Sequence, residues 1–168
     1  PRGPLREPLS ALRGADALLV VDGPLPLADA DAIAAHASRA RWFRARRRPV
    51  SLRPLAGGAA GSPRQLAGRF VGLLSGIARP ASLRRSVEAL GATVIAERSF
   101  PDHHRYRERD LRDLDAAPLW VTTEKDALKI LPRWAQGADL RVLAAGLEVE
   151  AGDDFIDWLE RTLRAKRR

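Results

Sequence analysis

The chain has 168 residues, of which 45% are hydrophobic and 30% are charged, proportions typical of a folded globular protein and not of a disordered one. It contains no cysteine, which excludes disulfides, thiolate metal sites and cysteine nucleophiles. Its 29 basic and 21 acidic residues give a formal charge of +8, which favours anionic partners such as phosphates, nucleic acid or an acidic membrane surface.

Several common patterns are absent from the sequence. No apolar run approaches the roughly 20 residues that a membrane-spanning helix needs, and no apolar stretch of a signal peptide follows the first prolines. Neither the phosphate-binding pattern GxxxxGK[ST] nor the dinucleotide-binding pattern GxGxxG occurs. The chain therefore lacks both of the usual glycine-rich phosphate cradles.

The order of apolar runs and turn residues predicts strands that alternate with helices. A buried strand is predicted over 15–21 and an alanine-rich helix over 29–45, and segments 50–56 and 69–74 flank a Gly/Pro-rich loop as a two-stranded ribbon would. The later predictions are strands over 70–77, 92–96, 119–122 and 140–147, and helices over 80–90, 106–114, 123–131 and from 153 onward. This alternation predicts an α/β fold with a mostly parallel sheet and flanking helices.

The segment SFPDHHRY, residues 99–106, follows a predicted strand and combines a carboxylate with imidazoles. Asp102 beside His103 could move a proton, because a carboxylate fixes the tautomer of a neighbouring imidazole and stabilises its charged form. The alternative is a Pro-Asp turn that carries two solvent-exposed histidines. A metal site is less favoured, since adjacent histidines point different ways and no third spaced ligand is evident.

The segment TTEKDALK, residues 122–129, lies where a predicted strand becomes a helix. Free backbone N–H groups at such a junction bind anions, and Lys125 adds positive charge. The alternative is a helix cap in which Thr123 accepts a hydrogen bond from the amide of Asp126.

Two weaker clusters complete the candidate site residues. In SGIARP, residues 75–80, Gly76 allows a close backbone approach and Arg79 could hold a phosphate, although a tight turn explains the same residues. In GPLREP, residues 3–8, Arg6 and Glu7 lie in a proline-stiffened segment, which alone is typical of a flexible terminus with a surface ion pair.

A basic run with two aromatic residues covers residues 39–48. Arginines among aromatic side chains can bind an anionic membrane surface or follow a nucleic-acid backbone, and a solvated helix end is the ordinary explanation. Nothing else in the sequence matches a nucleic-acid-binding module, so no nucleic-acid partner is predicted.

Taken together and in this order, the clusters resemble the C-terminal half of the tetraacyldisaccharide 4′-kinase family. The matching segments are GPLREP at 3–8, ADA at 15–17, GI at 76–77 with Pro80, DHH at 102–104 and TEKDALK at 123–129. The resemblance covers nearly the whole chain. The turn GIARP departs from the family pattern G-I-G-[N/H]-P at its third and fourth positions, and the family's phosphate-binding lysine loop and N-terminal acidic motifs have no counterpart in this chain.

The resemblance implies a fold and a set of roles. It implies a kinase that uses ATP and magnesium to phosphorylate the 4′-hydroxyl of the lipid A disaccharide precursor at an anionic membrane surface, peripherally at the cytoplasmic face of the bacterial inner membrane. It implies that a carboxylate assisted by His103 activates the sugar hydroxyl. In the family the aspartate of that pair lies in the N-terminal half, and in this chain Asp102, beside His103, is the further catalytic candidate. It further implies that Arg6 and Glu7 belong to the substrate and magnesium neighbourhood, with Glu7 near the magnesium ion. Arg79, Thr123 and Lys125 are predicted as substrate or phosphate contacts from their own positions at the strand ends.

The resemblance also implies a division of the chain. Residues 1–49 are predicted to belong to a P-loop kinase core, 50–74 to form the two-stranded linker, and 75–168 to form the smaller α/β lobe. A chain of this kind is predicted to need a separate N-terminal kinase half and to be inactive alone. The alternative hypothesis is a non-catalytic α/β module that binds an anionic lipid or a nucleotide.

Overall fold

The computed structural model describes residues 7–167, and these residues form two compact units. The first unit contains the chain up to Arg47 and from Leu147 onward, and the second contains Arg48–Gly146. Two long strands, β2 (Arg41–Pro54) and β6 (Leu140–Val149), each contribute residues to both units.

The first unit pairs two strands and packs a long helix against aromatic side chains. Besides parts of β2 and β6, its elements are β1 (Ala17–Val21), α1 (Leu27–His36) and α4 (Gly152–Lys166). β1 runs parallel to β2, with Ala17 opposite Arg41. The ring of Phe43 on β2 packs against Phe155 and Trp158 of α4, with centroids 4.8 and 5.2 Å apart.

The helix predicted over 29–45 is wrong in its second half. α1 ends at His36, and the basic run from Arg41 onward is strand. Arginine and alanine favour helices intrinsically, but Phe43 and Ala45 alternate as buried residues along a strand that pairs with β1. Tertiary pairing therefore overrides local propensity in this segment, and the solvated helix end considered for the basic run is excluded.

The second unit is built on parallel strands. Its remaining elements are β3 (Phe70–Ser75), α2 (Pro80–Glu88), β4 (Thr93–Ser99), β5 (Trp120–Thr123) and α3 (Glu124–Ala127). The strand order β6-β5-β3-β4 is parallel throughout. The prediction of an α/β fold with a mostly parallel sheet is therefore confirmed.

The predicted ribbon of 50–56 with 69–74 is wrong. β3 lies inside the sheet between β4 and β5, and β2 lies beside β6 instead. The Gly/Pro-rich loop does turn the chain back, because Leu52 and Gly61 exchange both backbone hydrogen bonds, but this contact ends after one bridge. The division into kinase core, linker and lobe at 49/50 and 74/75 stays a prediction.

The central strands β3 and β5 of the second unit are buried on both faces, whereas the edge strand β4 alternates exposed and half-buried residues. Leu74, Trp120 and Val142 belong to the hydrophobic cluster on one face, and the neighbouring residues Leu73 and Val121 belong to the cluster on the other. Strands covered on both sides need continuous apolar runs, which is the pattern that made them recognisable in the sequence.

The close packing of Trp120 explains a glycine in the middle of β3. A Cβ atom on Gly72 would lie 2.5 Å from the indole ring of Trp120, on the paired residue of β5. The indole Nε1 donates a hydrogen bond of 2.6 Å to the carbonyl of Leu114, which holds the ring in this position. Only glycine leaves room for the indole here.

Among the described residues, no helix is both long and apolar enough to cross a membrane.

Candidate functional site

The candidate site lies in the second unit, where three neighbouring strands end. Because β5, β3 and β4 are adjacent and parallel, the segments that follow them, 124–129, 76–79 and 100–106, leave the same edge of the sheet. Ligands of open parallel sheets bind at this carboxyl edge. The three strongest sequence clusters therefore lie at one place in the fold.

Asp126 connects the end of β5 to the end of β3. Thr123 caps α3 by accepting a hydrogen bond from the Asp126 amide at 3.2 Å, which confirms the capping arrangement considered from the sequence. The Thr123 hydroxyl also donates to Oδ2 of Asp126 at 2.9 Å, and the same carboxylate oxygen accepts a 3.0 Å bond from the amide of Gly76. One side chain thereby holds both turns.

The carboxylate of Asp126 is completely buried. Its Oδ1 lies 3.3 Å from the ammonium of Lys129, a side chain that keeps about a quarter of its surface exposed. A buried charge is tolerated only when it is paired and hydrogen-bonded, and Asp126 meets both conditions through Gly76, Thr123 and Lys129.

Asp102, His103 and Lys125 form a second connection, between the ends of β4 and β5. The Lys125 ammonium donates to Oδ1 of Asp102 at 2.7 Å, and this oxygen also accepts a 3.0 Å bond from the backbone amide of His103. The His103 Nε2 lies 3.5 Å from Oδ2 of the same carboxylate. The hydrogen bond from Lys125 holds the pKa of the Asp102 carboxyl below its ordinary value of 3.8, although partial desolvation opposes this shift.

His103 is presented to solvent in an unusual backbone conformation. Its side chain is 79% exposed and its φ is +63°, in the left-handed region that non-glycine residues seldom adopt. Residues in this region concentrate at functional sites, where the surrounding contacts maintain them. Here the contact is the bond from the His103 amide to Asp102.

His104 faces a different environment from its neighbour. Its Nε2 lies 2.9 Å from Oδ2 of Asp110, and its ring stacks on Phe100 at 4.3 Å and meets Tyr106 edge to face at 5.0 Å. The two adjacent histidines therefore lie in different surroundings. His104 packs into the second unit, and His103 is exposed to solvent beside Asp102.

Asp110 closes the loop on which His104 lies. Its Oδ2 accepts a 2.9 Å bond from the Arg107 amide in addition to the contact with His104. Burial raises the pKa of the Asp110 carboxyl, but the hydrogen bonds to His104 and Arg107 outweigh burial, so this pKa lies below the ordinary value of 3.8.

Replacing Asp110 by asparagine is expected to lower the free energy of unfolding near pH 6 by about 1–2 kcal/mol, because two charge-assisted hydrogen bonds are weakened. A carboxyl whose pKa is depressed by folding stabilises the protein above its unfolded pKa and loses this effect as pH falls through the folded pKa. Urea denaturation of the unchanged protein and of D110N at pH 6 and pH 3 measures the difference in their free energies of unfolding. This difference should be smaller at pH 3. The matched control is Asp115→Asn, at an exposed position of the same loop. If D110N lost the same free energy of unfolding at both pH values, the charge of the Asp110 carboxylate would not be what stabilises the loop.

Gly76 and Tyr106 approach each other closely behind these loops. A Cβ atom on Gly76 would lie 3.0 Å from the Tyr106 hydroxyl, 3.2 Å from Cβ of His104 and 3.4 Å from Oδ1 of Asp126. Burial, followed by the nearby charge of Asp126, raises the pKa of Tyr106 far above its ordinary value of 10.0. The phenol is therefore neutral at physiological pH, and the glycine lets the turn after β3 pack directly on the loop of His104.

The other predicted site residues fall in several places. Arg79 is exposed at the N-cap of α2, three residues beyond Gly76. Glu7 is exposed and belongs to the first unit, and Arg6 lies outside the described residues. The structure thus brings Asp102, His103 and Lys125 into contact and places Thr123 on the neighbouring Asp126 carboxylate.

Sequence reasoning missed two functional features of this edge. Asp126 was considered only for its backbone amide, although its buried carboxylate binds Gly76, and the pairing of His104 with Asp110 was not predicted. The short spacing T-x-x-D pointed to the cap, but no local signal indicates a hydrogen bond to a residue 50 positions away. Within residues 7–167, no group of three histidine or acidic side chains could hold a metal ion.

A protein-family model described as tetraacyldisaccharide-1-P 4′-kinase (LpxK) matches residues 1–164. A tetraacyldisaccharide 4′-kinase of Anaeromyxobacter dehalogenans is 45% identical, covering 94% of this chain and 45% of the relative. The kinase of the same name from Methylorubrum populi is 37% identical, covering 90% of this chain and 45% of the relative. The chain thus spans about half the length of the curated relatives that it matches.

A solved structure supports the fold independently. The crystal structure of LpxK from Aquifex aeolicus in complex with ATP superposes with a TM-score of 0.58 at 22% identity, covering 94% of this chain and 45% of that chain. At this identity the likeness shows the fold, which is that of the corresponding part of the Aquifex protein.

Proposed function

Because the chain belongs to the tetraacyldisaccharide-1-P 4′-kinase family, we propose that it is the C-terminal part of an enzyme that phosphorylates the 4′-hydroxyl of a tetraacyldisaccharide 1-phosphate, a lipid A precursor, with ATP. The observation that carries the proposal is the outward-facing His103, which is held beside Asp102 at the carboxyl edge of the sheet. This is the place and the pair of side chains that a proton acceptor for a sugar hydroxyl requires.

In the proposed reaction, His103 takes the proton that the 4′-hydroxyl must lose. The hydroxyl oxygen forms a bond to the γ-phosphorus while the bond from that phosphorus to the leaving ADP oxygen breaks. The released proton moves to the imidazole, and the Asp102 carboxylate, 3.5 Å from Nε2, stabilises the imidazolium that results. Lys125 and the His103 amide hold the carboxylate in place for this task.

Two of the proposed contacts to substrate phosphates, Arg79 and Thr123, lie at the same edge of the sheet. Arg79 is exposed on the turn that Asp126 anchors through Gly76, so its guanidinium is free to reach a phosphate beyond the strand ends. Thr123 contributes through the turn that it caps, and Arg6 and Glu7 are proposed to act from the N-terminal segment.

ATP and magnesium are proposed from the resemblance to the family, and Glu7 is the residue of this chain proposed to lie near the metal. Magnesium is usually held by one or two carboxylates together with substrate phosphates and water, where it neutralises the charge of the transferred phosphoryl group. The main contacts to ATP are proposed to come from the half of the longer relatives that this chain does not match.

The proposed acceptor is a lipid, so the enzyme would act peripherally at an anionic membrane, at the cytoplasmic face of the bacterial inner membrane. The exposed arginines of β2 support this proposal, since a basic strand that also carries the exposed Trp42 suits an acidic surface. Two of these arginines also form ion pairs within the first unit, Arg46 with Glu148 and Arg47 with Asp22.

The proposal is tested by measuring ATP-dependent 4′-phosphorylation of the tetraacyldisaccharide 1-phosphate. The complete kinase that contains this chain is expected to transfer phosphate, whereas the 168-residue chain alone is expected to show no activity, because it has no ATP cradle. Phosphorylation by the isolated chain would contradict the proposal that ATP is bound outside this chain. An inactive complete kinase that binds anionic vesicles would favour a non-catalytic module that binds anionic lipids.

A further inference from the structure

We infer that Lys125 is a positioning residue that acts on the reaction through Asp102 and is not a phosphate ligand. The inference rests on the proposed function of His103. It departs from the expectation that the sequence raises for a lysine at a strand-to-helix junction, which is direct contact with a substrate phosphate.

The first argument is that the Lys125 ammonium already has an anionic partner. Its distance of 2.7 Å to Oδ1 of Asp102 is that of a strong charge-assisted hydrogen bond. The two side chains are only partly exposed, 46% for Lys125 and 34% for Asp102. A phosphate that recruited this ammonium would have to compete with a carboxylate in contact with it, and would leave Asp102 without its cation.

The second argument concerns what Asp102 does when Lys125 holds it. The same Oδ1 that accepts from Lys125 also accepts from the amide of His103, and this bond fixes a histidine whose φ is +63°. The opposite oxygen faces Nε2 of the imidazole. Lys125 therefore controls one carboxylate that orients both the backbone and the ring of His103.

The third argument is topological. β4 and β5 do not pair with each other, because β3 lies between them. The ion pair of Lys125 with Asp102 spans the end of β3 and ties the two outer loops together. The next residue, Asp126, binds Gly76 at the end of β3 itself, so two consecutive residues attach the start of α3 to both other strand ends.

Lys125 also places a positive charge beside the Asp102–His103 pair. Its hydrogen bond is the largest cause of the lowered pKa of the Asp102 carboxyl, and the charge of His103 acts in the same direction. Without the ammonium, the carboxylate that faces the imidazole loses its main hydrogen-bond donor, and a nearby positive charge is lost. Loss of this positive charge moves the acidic limb of a reaction that depends on the pair to higher pH.

The test compares Lys125→Met with Lys125→Arg in the complete kinase. Lys125→Met is expected to move the acidic limb of kcat/KM to higher pH by about half a unit and to lower kcat about three- to tenfold, with KM for ATP and for the lipid changed less than about twofold. Lys125→Arg should return the acidic limb of kcat/KM to its original pH, because a guanidinium can pair with Asp102 in place of the ammonium. Lys129→Met is the structural control: it removes the partner of buried Asp126, so it should lower thermal stability without moving the limb.

A second measurement separates this inference from the proposed function. NMR of the imidazole resonances of the 168-residue chain, which has three histidines, reports on the surroundings of His103 without any turnover. In Lys125→Met the His103 ring resonances should move, because the carboxylate that faces the ring loses its partner, while those of His36 in the first unit stay in place. A large rise in KM with unmoved His103 resonances would show a phosphate ligand and overturn the inference. An unaltered kcat in His103→Ala would instead overturn the proposed function, whatever the NMR result.

Discussion

Under the proposed function, replacing His103 by alanine in the longer protein that contains this chain is expected to lower kcat about a hundred- to ten-thousand-fold, the range in which a positioned general base contributes. The side chain is 79% exposed, so the free energy of unfolding should change little. Steady-state phosphorylation kinetics and urea denaturation of the same preparations measure the two effects. His103→Asn is the second variant, because asparagine tolerates the left-handed backbone of this position but cannot accept the proton.

The matched control is the neighbouring His104→Ala. His104 pairs with Asp110 and stacks on Phe100, so its loss should reduce the free energy of unfolding by about 1–3 kcal/mol and lower kcat far less than His103→Ala. The two histidines thus separate chemistry from stability. Equal and small losses of kcat in the two variants would reject His103 as the base.

Removing the Asp126 carboxylate is expected to cause the largest loss of stability among the site variants. Asp126→Ala leaves the Gly76 amide and the Thr123 hydroxyl without their acceptor and deprives Lys129 of its partner. We expect the free energy of unfolding to fall by about 2–4 kcal/mol, less than for a fully buried ion pair, since Lys129 can turn toward solvent. Thermal and urea unfolding measure this loss.

Asp126→Asn separates the effect of the charge from that of the hydrogen bonds, because its amide oxygen still accepts one hydrogen bond while the charge is gone. Its expected loss is about half that of Asp126→Ala. Glu124→Ala, at an exposed acid of the same helix, is the matched control and should change the free energy of unfolding by no more than about 0.5 kcal/mol. If Asp126→Ala were as mild as Glu124→Ala, the carboxylate would not hold the two turns together.

The strands of the second unit could be predicted because their information is local. The strands predicted over 70–77 and 119–122 start with apolar residues of the kind found in strands buried on both faces, and they form β3 (Phe70–Ser75) and β5 (Trp120–Thr123). The N-cap at Thr123 is equally local, since a hydroxyl can reach only the amides of the next turn. Local patterns did not fix the helices equally well: the helix predicted over 106–114 is a single 3-10 turn at Glu108–Leu111, and the helix predicted over 123–131 ends at Ala127.

The errors have one physical origin. The segment 41–45 has the composition of a helix, and it becomes a strand because β1 offers it a parallel partner. Likewise, 69–74 looks like the second strand of a hairpin with 50–56, but it enters the sheet between β4 and β5. Pairing energy comes from residues that are distant along the chain, and propensity in a short window does not contain it.

The absence of cysteine, the charge of +8, the α/β alternation and the separate clusters around His103 and Lys125 were determined by the sequence alone. Only the tertiary structure decided that these clusters meet, that Lys125 faces Asp102, and that His103 is exposed while His104 is packed. The reason is that strand order is set by burial and backbone pairing over the whole unit. Once β3 lies between β4 and β5, loops more than 20 residues apart in sequence share one edge of the sheet.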